Sequence, residues 1–367
     1  MNAPAEPAPT EAPGEPRPTT SSRGTPEPSP RPTPPPRRAV VLENLGTPDS
    51  PALTDVQAYL RQFLSDKRIV SLPAFLWQPI LRLIILRRHA PVSAAKYASI
   101  WTTAGSPLLL HTQAQAAGLR DRLGPGIVVD VAMRYGRPAL ADALDRLRAD
   151  GVTDVLLVPM YPQYSTTTTA TVEDDLAAYR RARPRTADDP LRVDVLPAWP
   201  EDPGYLDACV HRITAHWDAH GRPDFAAGDK LLLSFHGIPV SVTKAGDPYP
   251  SQCAATTARL RERLHLTETE CPQTYQSKFG KGEWLTPATI DTVRALAASG
   301  TRRLDVFCPG FAADCLETCE EIALLNRDAF LAAGGDEFHK IDCLNDDPAW
   351  LDALAALVRT RWSAGTA

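Results

Sequence analysis

The chain has 367 residues, 43% of them apolar and 23% charged, with a formal net charge of −5. That length leaves room for two domains of ordinary size, and the composition supplies a substantial core. The negative charge, without any dense Lys/Arg stripe, excludes a general nucleic-acid binder, and seven scattered cysteines exclude the disulfide framework of a small secreted scaffold.

Met1 to about Arg37 is mostly Pro, Ala, Glu, Thr and Ser, with no aromatic residue. Such a segment cannot bury enough apolar surface to offset its ordering entropy, so residues 1–37 are expected to be a disordered Pro-rich tail. No apolar h-region opens the chain and no Arg-rich amphipathic transit pattern follows, which gives a cytoplasmic expectation with reduced thiols.

Beyond the tail, short β-branched runs alternate with amphipathic stretches. The runs are Ala39–Leu45, Ile127–Met133, Asp154–Met160, Arg192–Leu196, Lys230–Phe235, Arg303–Cys308 and Phe338–Cys343, with a more polar candidate at Gln273–Phe279. Helical patterns lie between them, and this alternation predicts α/β architecture with doubly wound parallel sheets. One segment departs from it. Leu72 to Arg88 reads LPAFLWQPILRLIILRR, too short and too interrupted by Pro73, Pro79 and Arg82 to span a bilayer. The pattern leaves two readings open: a buried core helix, or an apolar lip resting on a membrane surface or a greasy ligand.

The chain also repeats itself. Arg134-Tyr135-Gly136 precedes a helix and the strand DVLLVP; Lys278-Phe279-Gly280 precedes a helix and the strand LDVFCP. The first strand of each half ends alike, Leu45-Gly46-Thr47-Pro48 against His236-Gly237-Ile238-Pro239. The expectation is two similar Rossmann-like lobes, 38–195 with an insertion near 72–88 and 196–367 carrying His236 and Glu317. Ligands of open α/β sheets bind at the carboxyl ends of strands, so a shared cleft would lie between the lobes.

His236 falls at the tip of an apolar strand. A lone His is usually a satisfied core residue, but this one precedes a Gly-x-Pro turn where ligands bind, and His is both a general base and a metal ligand near neutral pH. Asp314, with Glu317 three residues later, forms a capping-box-like pair, a complete structural explanation. Asp314, Glu317 and Glu321 also share helical spacing and so one acidic face, suited to a divalent cation or to proton traffic. Cys315 and Cys319 at i, i+4 are a weak metal signal, and inert buried thiols are the simpler reading.

The blocks VLENLGTPDS, AGSPL, MRYG, YPQYSTTTTATV, SFHGIP, YQSKFGKGEWLTP and VFCPGFAADCLETCEEI, in this order, resemble the ferrochelatase family from about Ala39 to the end. The resemblance implies a lyase of haem biosynthesis that inserts Fe²⁺ into protoporphyrin IX with release of two protons. It implies His236 and Glu317 as catalytic and metal-contacting residues. Leu45, Arg88, Ser106, Arg134, Tyr135, Lys278 and Trp284 would bind porphyrin, and Tyr161, Trp199, Asp314 and Glu321 would form a metal or proton path. It turns Leu72–Arg88 towards a porphyrin-facing lip with peripheral membrane contact, at the inner face of the membrane, leaving the core helix as the alternative.

Iron would be substrate, with no tightly bound cofactor. A [2Fe–2S] cluster, carried by some members on cysteines near the carboxyl terminus, is not expected, since no cysteine follows Cys343 and no C-x₂-C spacing occurs. Three rivals stand beside this reading. They are a chelatase of the same fold acting on coproporphyrin III or sirohydrochlorin, a two-lobed binding protein without chemistry, and a scaffold using its Pro-rich tail.

Overall fold

The computed structural model describes residues 1–3, 37–183, 191–278 and 282–364; the tail lies almost wholly outside them, as do Phe279 and Gly280 of the repeat. Among the described residues eight strands form two four-stranded parallel sheets. The first holds β1 (Arg38–Thr47), β2 (Ile127–Gly136), β3 (Asp154–Pro159) and β4 (Arg192–Val195) in the order β2-β1-β3-β4. The second holds β5 (Lys230–His236), β6 (Gln273–Gln276), β7 (Arg303–Phe307) and β8 (Glu337–Lys340) in the order β6-β5-β7-β8. The two orders are the same, so the repeat read from sequence is a repeat of topology. In each sheet the order reverses beside the first strand, between β1 and β3 and between β5 and β7, which is where such sheets bind ligands.

Side-chain alternation divides β1 between two faces. Val40 and Leu42 join an apolar cluster that also contains Leu231, Leu233 and Phe235 of β5 together with Trp217 and Trp350. Helices Pro203–His220 and Pro348–Ala364 pack on each other between the sheets, and the last helix also packs on Pro107–Leu123 of the first half. One continuous core therefore joins the halves. Ala39 and Val41 point the other way, into a cluster with Leu144, Val172 and Leu176, and the outer face of the second sheet is closed by Val293, Ile322 and Phe330.

The two first strands end in turns built on one constraint. At Gly46, with φ +113°, a Cβ would stand 1.7 Å from the Tyr135 carbonyl oxygen on β2. At Gly237 a Cβ would stand 2.7 Å from the Gln276 carbonyl oxygen on β6. Both turns need glycine because the neighbouring strand's backbone occupies the space of a side chain.

Leu72–Arg88 is not a core helix. It forms a helix over Ala74–Ile80, a wide π turn over Leu81–Ile85 and a final turn over Leu86–Arg88. Leu81 and Leu86 are buried, but Phe75 is 78% exposed and Leu72, Leu76, Leu83 and Ile84 are exposed with it. Trp77 pins the segment by donating its indole N–H to the Leu64 carbonyl at 2.6 Å. The two prolines and Arg82 interrupt the apolar face, so only one side of the segment finds a core to enter. Among the described residues no helix is long and apolar enough to cross a membrane.

Candidate active site

His236 ends β5 half-buried, its Nδ1 2.7 Å from the Gly237 carbonyl oxygen. A carbonyl only accepts, so Nδ1 carries the hydrogen and the neutral ring keeps a lone pair on Nε2. Trp284 packs beside this turn: Pro239 and Trp284 form an isolated antiparallel bridge, and the Trp284 ring closes the space next to Gly237.

The facing carboxylates come from a π-helix, Glu317–Asn326, which continues as an α-helix over Arg327–Ala332. Its N-terminus carries no side-chain cap, so the capping box expected from Asp314 and Glu317 does not form. Asp314 is instead buried and bound to Lys340 at 2.6 Å, and it accepts hydrogen bonds from Thr318, Asn345 and the Cys343 N–H. Burial alone would raise its pKa; Lys340 and the hydrogen bonds overcome that and hold it near 2. This residue is an anchor between the helix and β8, and the acidic row shortens to Glu317 and Glu321.

Glu321 receives the Ser277 N–H at 2.7 Å and the Ser277 hydroxyl. Burial raises its pKa, opposed by Ser277 and by His236, while Glu317 adds to the rise. Glu321 thus lies within electrostatic range of both His236 and Glu317. Glu317 also reaches across to Tyr59 and Tyr97 of the first half, whose hydroxyls are held protonated by burial first and by its charge in part. Leu316, next in chain, packs against a cluster of Tyr59, Tyr97, Tyr135 and Leu45. Leu45, at the carboxyl end of β1, thus packs against the same cluster as the start of the carboxylate helix.

Other expected residues distribute unevenly. The Arg134 guanidinium lies over the Tyr135 ring, 4.6 Å from its centroid, and pairs with Asp66 at 2.7 Å; Tyr135 donates its hydroxyl to the same carboxylate. Lys278 and Arg88 are exposed. Ser106 is buried and lines a cavity of about 440 Å³ with Thr47, Trp101 and Arg137, all first-half residues.

Trp199 stacks on Trp350 at 5.0 Å inside the core between the sheets, whereas Tyr161 packs on the opposite face of the first sheet. These two side chains do not form one path. Sequence reading passed over Glu43, Tyr59, Tyr97, Asp66 and Ser277. Of these only Glu43 carried a local signal, a lone charge inside the strand VVLENLG.

The fold recurs in solved structures. Sirohydrochlorin chelatase SirB from Bacillus subtilis subspecies spizizenii, in complex with cobalt, superposes with a TM-score of 0.51 at 9% identity, over 88% of this chain and 94% of that one. SirB from Bacillus subtilis with Fe³⁺ gives 0.48 at 11% identity over the same 88% and 94%. At 9% identity the likeness to the cobalt-bound SirB is one of fold alone, an α/β architecture of two parallel sheets. The narrower assignment comes from sequence: a model of the ferrochelatase family matches residues 37–362, and the chain belongs to that family. It is a metal chelatase of tetrapyrroles.

Proposed function

We propose that the chain inserts Fe²⁺ into protoporphyrin IX, forming protohaem and releasing two protons. The observation that carries this reading is the 2.7 Å contact of His236 Nδ1 with the Gly237 carbonyl: with Nδ1–H donated there, the neutral ring offers its Nε2 lone pair at a strand tip beside Glu321. Such a group accepts a pyrrole proton or meets an incoming metal, and neutral imidazole with carboxylate suits Fe²⁺. Glu317 and Glu321 then serve as metal contact or as the next station for the proton.

An apolar ring is favoured by the exposed face of residues 72–84, which would cover a flat aromatic substrate and rest at a membrane surface. Lys278 and Arg88 supply cations for the ring's carboxylates. Iron is substrate here, and the reading requires no resident cofactor.

The test is a metal-insertion assay with Fe²⁺ or Zn²⁺ on protoporphyrin IX, coproporphyrin III and sirohydrochlorin. Protoporphyrin is expected to react fastest, and His236→Ala to lose on the order of a hundredfold or more in kcat. Undiminished insertion by His236→Ala would remove its catalytic role. Faster reaction of sirohydrochlorin would replace the substrate assignment.

A further inference from the structure

Glu43 is wholly buried, and neither of its carboxylate oxygens has a hydrogen-bond partner in the structure. It points to the same side of β1 as Ala39 and Val41, under helix Thr169–Ala182, and stands two residues before Leu45 on that face. Tyr161, just beyond β3, packs on this same face and also keeps a buried hydroxyl without a partner. The two strands are tied at this point, since the Met160 N–H donates to the Glu43 carbonyl at 2.8 Å.

The charged groups around Glu43 are Asp175 from helix Thr169–Ala182 and Arg134 from β2. Arg134 is already shared between Asp66 at 2.7 Å and Asp175 at 3.9 Å, so three carboxyl groups face one guanidinium. A buried carboxyl in that company keeps its proton.

Tyr161 lies within electrostatic range of Glu43 and also of Tyr59 and Tyr135, and Tyr59 in turn lies within range of Glu317. Asp175 is only partly buried, with 30% of its side chain exposed, which opens the far end to solvent.

We propose that Glu43 is a buried proton-relay group, connecting the cleft through Tyr161 to Asp175 and solvent on the first half of the molecule. Neither the Tyr161 hydroxyl nor the Glu43 carboxyl hydrogen-bonds directly to a neighbour, so each transfer runs through a bridging water: a proton arriving from the cleft binds the Tyr161 oxygen as Tyr161 passes its own proton towards Glu43, and Glu43 passes its proton towards Asp175 and solvent. One proton enters, one leaves, and each group returns to its starting form. Burial first, and Asp175 second, push the Glu43 carboxyl up to about 8 against Arg134, within reach of both protonation states near neutral pH. Glu43 acts through Tyr161 and is not itself in contact with substrate.

The inference rests on the metal-insertion reading, and its test separates the two. Zinc insertion is followed across roughly pH 6 to 9, in water and in deuterium oxide, for the wild type, Glu43→Gln, Glu43→Leu and Tyr161→Phe. Glu43→Leu should fold at least as stably as the wild type, because it removes a buried unpartnered carboxyl. Its kcat should nevertheless fall on the order of a hundredfold with KM little changed, and the inflection near pH 8 should vanish. Infrared spectroscopy of the wild type should show a carboxyl band titrating near pH 8 that Glu43→Gln lacks. An unchanged kcat profile in Glu43→Leu, or no such band in the wild type, overturns the relay alone. A wild type that inserts metal into no tetrapyrrole sinks the chelatase reading and the relay with it.

Discussion

Asp314 and Glu317 are three residues apart and do different work. Asp314 is spent on Lys340, and both side chains are almost fully withdrawn from water. Its lowered pKa makes the pair a stability element whose sign is fixed: the contribution is complete above the ordinary carboxyl value of 3.8 and is lost as pH falls towards 2. Replacing Asp314 by Asn would leave Lys340 a buried cation with only the more exposed Asp342, at 2.9 Å, as counter-ion. The expected loss is about 3 kcal/mol by chemical denaturation at neutral pH, near the lower end for a broken buried pair because Asp342 remains. A loss below about 1 kcal/mol would return Asp314 to the pool of candidate proton carriers. Glu43 shows the converse sign: its raised pKa means stability present at low pH that is lost as pH rises through about 8. Its charge was visible in the strand. Its lack of a partner was not, because that depends on Tyr161 and Asp175 arriving from distant parts of the chain.

Among the elements, the segment Leu72–Arg88 shows where pattern reading stops. Its hydrophobicity was plain, but a run apolar on all sides reads the same whether buried or exposed. Only its docking through Leu81, Leu86 and Trp77 reveals which side is left over. Replacing Phe75 and Leu83 together by Ser should change stability by no more than about 0.5 kcal/mol, as both are exposed. The same variant should weaken protoporphyrin binding roughly tenfold in a fluorescence titration. A stability loss of about 2 kcal/mol or more would identify the segment as core after all. The carboxylate helix offers a second case. Its 3.6-residue periodicity predicted one face for Asp314, Glu317 and Glu321, yet the backbone opens into a π-helix from Glu317, a geometry that functional sites favour and side-chain spacing does not announce.

Across the whole molecule, the seven cysteines test whether distant parts converge. Six are buried and Cys319 is partly so, and burial raises the Cys308 and Cys343 thiols above their ordinary range, so these sulfurs keep their protons at neutral pH. Purified protein is therefore expected to show no thiolate-to-iron absorption in the visible region; such bands would mean an iron–sulfur cluster and reverse the cofactor reading.

The sequence by itself determined the α/β architecture, the twofold repeat and the placing of His236 at a strand tip. Each of those rests on local periodicity and on turn chemistry within a few residues. Only the tertiary structure decided that Asp314 belongs to Lys340, that Trp199 is stacked under Trp350 and that Glu43 is left without a partner. Desolvation and pairing are set by neighbours that folding brings from far along the chain, so no short stretch of residues can state them.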